Sequence, residues 1–189
     1  LGLTEPAPRR GMAVSARSAA VPGRLAPVTV DVMAGEHLLV TGVNGSGKST
    51  LLTWLGRRSA PTEDSSGSLT VSGSVFWIPQ HLPVLGDPGV DEDVWVEGIG
   101  DRGQGALHPR LWNRPLSELS DGNQRRAQLA LAAAAGPEVL VVDEPTNYLD
   151  LDALEMLETA LRSWTGTLIV ASHDRWLIEH WWGRRLHLR

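Results

Sequence analysis

The chain has 189 residues, of which 42% are hydrophobic and 21% charged, a composition that is ordinary for one globular domain with a buried core. The absence of cysteine excludes disulfide frameworks and thiolate metal sites, and the net charge of −5 argues against a surface coated with nucleic-acid contacts. No run approaches 18 apolar residues and residues 1–24 hold no apolar signal segment, so we expect no membrane span and a cytoplasmic location.

Residues 1–24 mix Pro, Gly, Ser, Ala and Arg without periodicity, which predicts a flexible basic arm or the remnant of a linker. The charged residues of this arm are Arg9, Arg10, Arg17 and Arg24, set against the single acid Glu5. A basic arm on an acidic body can touch RNA or an acidic partner, although a solvated linker is the commoner case. Because the chain begins with Leu1 and not Met, we expect it to be part of a longer protein.

From residue 25 onward, strand and helix patterns alternate, which predicts a mainly parallel α/β sheet. Strands are predicted at 28–32, 37–41, 69–71, 75–78, 139–142 and 167–171, and helices at 50–58, 121–135, 151–164 and 175–182. Ser120 or Asp121 is the expected cap of the second helix, which should end before Gly136. The segment 81–118 is rich in Pro, Gly and Asp and is only weakly periodic.

The loop Gly42-Val43-Asn44-Gly45-Ser46-Gly47-Lys48-Ser49 matches the phosphate-loop pattern at every required position. Glycines let backbone N–H groups surround a phosphate, and the following helix adds its positive end. Lys48 can then reach the β- and γ-phosphates, and the Ser49 hydroxyl can ligate Mg²⁺. Lys48 is the only lysine in a chain that uses arginine elsewhere, which favours a specific need for a compact ammonium here.

A second motif is the apolar strand at 139–142, which ends in Asp143 and Glu144. At the carboxyl end of the sheet, Asp143 can hold Mg²⁺ through water and Glu144 can orient or polarise an attacking water. Two adjacent acids alone could equally form a solvated turn, but their occurrence after a phosphate loop favours catalysis.

With these motifs, residues 25–189 resemble the ATP-binding cassette (ABC) family of P-loop NTPases. The resemblance implies a mainly parallel sheet core, a small antiparallel β subdomain and a helical subdomain, here shortened to 81–118. It implies an ATPase that needs ATP and Mg²⁺ and that closes on a second cassette. The implied nucleotide-binding residues are Gly42, Asn44, Gly45, Gly47, Lys48, Ser49 and Thr50.

The same resemblance assigns the remaining site residues. Glu144 is implied as the catalytic glutamate, His173 as the switch histidine that contacts the γ-phosphate, and Gln80 as the glutamine that reaches Mg²⁺ and the attacking water. Ser49, Gln80 and Asp143 are the implied metal ligands. Leu119-Ser120-Asp121-Gly122-Asn123-Gln124 looks like the signature motif, whose Ser120 and Gly122 bind ATP held by the partner cassette. Asp150 is implied as part of the D-loop.

Two stretches look most like the F subfamily, namely Asp143-Glu144-Pro145-Thr146-Asn147-Tyr148-Leu149-Asp150 and Ser172-His173-Asp174-Arg175. That subfamily carries two cassettes on one chain, lacks a membrane domain and acts on the ribosome, in some cases protecting it from antibiotics. The resemblance implies that this chain is one cassette, most like the second, with the ribosome or its RNA as a possible partner. The isolated domain is expected to be a monomer without membrane insertion.

The sequence also departs from the family pattern. Asp121 stands where Gly is usual and Asn123 where Gln or Glu is usual, so a carboxylate could face the partner's γ-phosphate unless Asp121 turns back to cap its helix. Residues 1–47 contain no Tyr, Phe or Trp to stack on adenine, so loose base recognition is expected. The eight tryptophans are expected to pack in the core.

Three functions are compatible with these motifs. The first is a soluble translation-associated ATPase, and the second is the ATP-binding subunit of a membrane transporter whose membrane helices lie on other chains. The third is a DNA-repair or chromosome-maintenance ATPase, which would need a long insertion between Gln80 and the signature. Only 38 residues separate the two, which argues against the third function and weakens the second.

Overall fold

A computed structural model describes residues 11–189. Its strands are β1 (Met12–Val21), β2 (Leu25–Met33), β3 (His37–Thr41), β4 (Ser66–Val71), β5 (Val75–Ile78), β6 (Val139–Asp143), β7 (Thr167–Ala171) and β8 (Arg184–His187). Its α-helices are α1 (Lys48–Arg57), α2 (Glu92–Glu97), α3 (Asp121–Ala135), α4 (Leu151–Arg162) and α5 (Arg175–His180). Within residues 11–189, none of the helices has both the length and the apolar character that a membrane crossing requires.

The strands form two sheets. A five-stranded sheet has the order β5-β6-β7-β3-β8 and is parallel throughout, and a three-stranded antiparallel sheet has the order β2-β1-β4. The predicted fold class, a parallel sheet core with a small antiparallel β subdomain, is therefore confirmed.

The central strands of the parallel sheet carry continuous runs of buried apolar residues, at 38–40 in β3, 139–142 in β6 and 168–171 in β7, because both of their faces are covered. On β6, Val139 and Val141 pack into one core cluster, whereas Leu140 and Val142 pack into another on the opposite face. This alternation follows from the period of two along a strand. The continuous apolar run that predicted this strand is thus the mark of a two-sided core.

The prediction of a flexible arm over residues 1–24 is wrong for β1, which pairs with both β2 and β4. Val14, Ala16 and Ala19 are buried in this strand, and Arg17 donates to Asp31 of β2 at 2.6 Å on its exposed side. The small Ala and Ser side chains gave β1 no apolar alternation that the sequence pattern could reveal. Leu1, Glu5, Arg9 and Arg10 lie outside the described residues.

The segment 81–118, predicted as a reduced helical subdomain, consists of α2 and three short 3₁₀ turns joined by irregular chain. Although the sequence of this segment is only weakly periodic, its apolar side chains pack into the core. Val94, Ile99 and Leu116 are almost completely buried and share a core cluster with the sheet and α3. The segment therefore covers one face of the sheet as part of the same core.

The structure also contains an element that the sequence pattern missed. Strand β8 is built from Arg184, Arg185, Leu186 and His187 and extends the parallel sheet beside β3. It is an edge strand, so it needs no continuous apolar run. Its polar sequence explains why the pattern did not predict it.

Candidate nucleotide-binding site

The predicted phosphate loop connects β3 to α1, and its glycines are required by the backbone. Gly42, Gly45 and Gly47 have φ angles of 151°, 84° and 96°, which side chains rarely tolerate. A Cβ on Gly42 would lie 2.5 Å from Ser46 Oγ, and one on Gly47 would lie 2.5 Å from the Arg24 carbonyl oxygen. No side chain within residues 11–189 caps α1, so the N–H groups of its first turn remain available to an anion.

Lys48 opens α1 and lies across this loop. It is 7% exposed, and its Nζ donates to the carbonyl oxygens of Gly42 at 2.9 Å and Val43 at 3.3 Å. The loop's own carbonyls therefore hold a buried ammonium beside the free N–H groups of α1. Positive charge and backbone donors converge on one point, which is the chemistry that a polyphosphate requires.

Asp143 is the last residue of β6 and is 2% exposed. Burial raises the pKa of this carboxyl, a shift that a hydrogen bond with Ser49 and the charges of Lys48 and Arg125 oppose, while the adjacent Glu144 adds to it. Its Oδ1 has no hydrogen-bond partner among the described residues. A buried, unpartnered carboxylate oxygen beside a serine hydroxyl fits a Mg²⁺ site, since Mg²⁺ takes carboxylates directly or through water.

Glu144 is also buried, at 3% exposed, and is turned toward β7. Its φ is 51°, an uncommon conformation for a residue with a side chain, and its N–H donates to the Ala171 carbonyl oxygen at 2.8 Å. Its Oε1 lies 2.7 Å from His173 Nδ1, and its Oε2 accepts from the His173 backbone N–H at 3.3 Å. The glutamate is thus held in one orientation by the segment that follows β7.

Lys48 and Glu144 border one cleft of about 460 Å³. The predicted residues that line it are Asn44, Gly45, Gly47, Lys48, Ser49, Thr50, Gln80, Glu144 and His173. They converge because β3, β5, β6 and β7 are parallel, so their carboxyl ends lie at one edge of the sheet. The cleft can therefore hold a polyphosphate against the loop with a carboxylate and an imidazole facing it.

Five predicted residues are not among the described residues that line the cleft. Gly42 begins the phosphate loop and Asp143 is buried at the end of β6, next to the lining residue Glu144, whereas Ser120, Gly122 and Asp150 lie at the starts of other helices. Ser120 caps α3 by accepting from the Asn123 N–H, and Asp150 caps α4 by accepting from the Ala153 N–H. The alternative in which Asp121 caps α3 is therefore wrong, since Asp121 is the exposed first residue of that helix.

Sequence reasoning missed two residues that line the cleft and two that support its border. Gly23 and Arg24, from the turn between β1 and β2, line it, although the sequence suggested a disordered arm there. Arg125 and Gln128 of α3 are buried and contact the chain around Gln80. No local sequence pattern indicated these contacts, which join positions about 45 residues apart in the chain.

The aromatic residues are arranged largely as expected. No Phe, Trp or Tyr side chain lines the cleft within residues 11–189, whereas Trp54, Trp164 and Trp181 are buried in the core as predicted. Loose recognition of the base remains a prediction.

Comparisons with known proteins give a consistent picture. The sequence profile of the family described as ABC transporter matches residues 25–147. The tylosin resistance ATP-binding protein TlrC of Streptomyces fradiae is 35% identical over 165 residues, covering 82% of this chain and 30% of that protein. The ATP-binding protein Uup of Caulobacter vibrioides is 34% identical, with 78% and 26% covered. The ribosome protection protein VmlR of Bacillus subtilis is 31% identical, with 78% and 28% covered.

The chain thus spans under a third of the length of these relatives. Solved structures share the fold at lower identity. The dimeric ATP-binding cassette MJ0796 bound to ADP and Pi superposes with a TM-score of 0.73 at 20% identity, covering 93% of this chain and 94% of that one. A bacterial Atm1-family exporter with ATP bound gives a TM-score of 0.74 at 19% identity, covering all of this chain and 40% of that one.

Proposed function

Because this chain belongs to the ABC transporter family of ATP-binding cassettes, we propose that it binds MgATP and hydrolyses it when a second cassette completes the site. The observation that carries the proposal is the convergence of three groups at one sheet edge. Lys48 of the phosphate loop and the histidine-held Glu144 line the cleft, and the buried Asp143 lies behind it, hydrogen-bonded to Ser49 of the lining.

The proposed roles follow from these positions. Lys48 and the N–H groups of the loop bind the β- and γ-phosphates. Glu144 accepts a proton from the attacking water or orients it, and His173 holds that carboxylate and faces the γ-phosphate. The Ser49 hydroxyl, Gln80 and Asp143 would hold Mg²⁺, which when bound would supply positive charge to the phosphates.

The proposed partner is a second cassette. Ser120 and Gly122 lie outside this cleft, at the N-terminus of α3, where their donors can serve nucleotide bound by another cassette. ATP held between the two cassettes would close the pair, and hydrolysis would reopen it. The isolated domain should then be a monomer with little turnover.

The finer proposal is a cytoplasmic F-subfamily protein that acts on the ribosome. Its support is the run from Asp143 to Asp150, the Ser172-His173-Asp174-Arg175 segment and a relative described as a ribosome protection protein. The alternative is the ATP-binding subunit of a membrane transporter.

Ribosome co-sedimentation tests the finer proposal. The full-length natural protein is prepared with Glu144→Gln, and with the matching change in any second cassette, so that hydrolysis does not release the closed state. ATP-dependent pelleting with ribosomes is expected. Protein that stays in the supernatant while a control factor pellets would favour the transporter alternative, and it would leave ATP binding at Lys48 unaffected.

A further inference from the structure

Arg125 is a charged residue in the middle of the core. It lies in the second turn of α3 with 0% of its surface exposed. Burial lowers the pKa of its guanidinium, an effect that Tyr148 and Asp143 oppose. Its Nε has no partner among the described residues. A buried arginine is costly unless its other N–H groups are well paired, so its contacts indicate what it does.

Those contacts converge on the segment that carries Gln80. Arg125 Nη1 donates to the Pro79 carbonyl oxygen at 3.0 Å, and Nη2 donates to the Gln80 carbonyl oxygen at 2.6 Å. Arg125 Nη1 also donates to Gln128 Oε1 at 3.0 Å, and Gln128 Nε2 donates to the His81 carbonyl oxygen at 3.4 Å. Two side chains one turn apart on α3 thereby hold three consecutive carbonyls.

These hydrogen bonds matter because Gln80 lies beyond the last paired residue of β5 and is not held by the sheet. The last residue of β5 that pairs with β6 is Ile78, opposite Val142. Beyond Ile78, the contacts to Arg125 and Gln128 tie the backbone at 79–81 to α3. The Gln80 side chain itself is exposed and lines the cleft. The position of that side chain therefore depends on α3.

The other end of the connection is the start of α3. Ser120 caps the helix, and Gly122 lies against Tyr148, whose carbonyl oxygen would be 3.0 Å from a Cβ on that glycine. The Tyr148 ring is also 5.9 Å from the Arg125 guanidinium. One rigid helix thus joins the residues proposed to meet the partner's nucleotide to the segment that aims Gln80 at this chain's own nucleotide.

We propose that Arg125 is a positioning residue that fixes Gln80 in the cleft and couples it to Ser120 and Gly122, so that a partner's nucleotide at α3 adjusts the site on this chain. The inference rests on the proposed function, because it requires nucleotide at both places. The planar guanidinium suits the task, since its N–H groups have a fixed geometry and two of its nitrogens donate to adjacent carbonyl oxygens, whereas a lysine ammonium lacks that rigid fork.

A double-mutant cycle on ATP turnover tests this role, with the chain concentrated enough for two copies to pair. Arg125→Met should lower kcat by about tenfold, as loss of a supporting residue typically does, and leave the Kd for MgATP within about twofold. Arg125→Lys should recover part of that loss. The exposed Arg114, which pairs with Glu118 on the surface, provides the control Arg114→Gln, which should turn over at the parent rate.

The decisive comparison is with Gln80→Ala. If Arg125 acts through Gln80, adding Arg125→Met to Gln80→Ala should lower kcat little further. Multiplicative losses in the double variant, or a change in KM with kcat unchanged, would overturn the proposal. If Arg125→Met lacks a cooperative unfolding transition, Gln128→Met enters the same cycle, since it removes the contact to His81 and one contact to Arg125.

Hydrogen exchange supplies a readout that does not need turnover. MgATP should slow exchange at the phosphate loop in every folded variant, but it should slow exchange at residues 121–128 only while Arg125 is present. Retained protection of 121–128 in Arg125→Met would contradict the coupling even though MgATP binds. Absence of protection at the phosphate loop of the parent chain would instead contradict the proposed function, and the coupling with it.

Discussion

All strands of the parallel sheet begin on one side of the sheet, here called the first edge, and end on the opposite side, here called the second edge. The two edges differ in whether their buried polar groups have hydrogen-bond partners. At the edge where the strands begin, the indole N–H groups of Trp164, Trp181 and Trp182 all donate, to Thr167 O, Arg184 O and His37 Nδ1. At the edge where the strands end, Asp143 Oδ1 and Ser46 Oγ have no partner within residues 11–189, and Glu144 has a positive φ.

The difference separates stability from function. The first edge has the paired hydrogen bonds and stacked rings expected of a core that contributes to stability alone. Trp181 stacks on Trp182 there, at 4.4 Å between ring centroids. The second edge retains buried charge and strained backbone. Both lower the stability of the folded chain when no ligand is bound, and both can contribute to ligand binding or catalysis. Substitutions at the two edges should therefore have distinguishable consequences.

The largest effect is expected at the second edge from Lys48→Ala. Loss of the buried ammonium removes charge-assisted contacts to the phosphates, so MgATP should bind at least about 100-fold more weakly. Isothermal titration measures this, with Arg17→Ala on the antiparallel sheet as a control that should bind as the parent does. Unchanged affinity in the Lys48 variant would refute the site.

Glu144→Gln should separate binding from hydrolysis at the same edge. The amide preserves the shape and can still accept from the His173 N–H, so the Kd for MgATP should stay within about twofold. Turnover should fall by roughly 100-fold or more, because the amide cannot accept a proton. Single-turnover hydrolysis by paired cassettes measures the rate, and turnover at the parent rate would remove Glu144 from the catalytic role.

At the first edge, Trp164→Ala should affect stability and leave the nucleotide alone. The side chain is 3% exposed, so its truncation should lower the free energy of unfolding by about 3–5 kcal/mol. Urea unfolding gives the loss, and a titration on the folded variant should return the parent Kd. A selective loss of MgATP affinity would show that the two edges are not separable in this way.

The smallest effect is a pH dependence of stability from His37. Burial lowers the pKa of this imidazole, an effect that hydrogen bonds with the Trp164 and Gly166 backbone partly oppose, and its Nδ1 accepts from the Trp182 indole N–H in the unprotonated state. A lowered folded-state pKa means that the unfolded chain binds the proton more readily. Stability from this group should be complete above about pH 6.5 and fall as the pH drops further toward the lowered value.

Urea unfolding at pH 7.5 and 5.5 measures this contribution. The fall in free energy of unfolding between the two values should be smaller in His37→Gln than in the parent, since the variant lacks the titrating ring. An equal fall in both proteins would assign the pH dependence to titratable groups other than His37.

The same contrast explains how much could be predicted from sequence. The phosphate loop and the strand ending in Asp143 are each formed by contiguous residues, so local sequence patterns were enough to predict both. Strand β1 was missed because Ala and Ser give little hydrophobic contrast, and its strand character arises from pairing with β2 and β4. The contacts of Arg125 span about 45 residues of chain, and no local pattern encodes them.

The last strand offers a route to observing the site directly. The Leu188 N–H donates to the Thr41 carbonyl oxygen at 2.8 Å, and its own carbonyl oxygen would be 2.7 Å from a Cβ on Gly42. Residue 189 therefore adjoins the phosphate loop, although 147 positions separate it from Gly42 in sequence. Because the chain has no cysteine, Arg189→Cys would create a unique thiol there, and a fluorophore on it would report nucleotide arrival without altering any residue of the cleft.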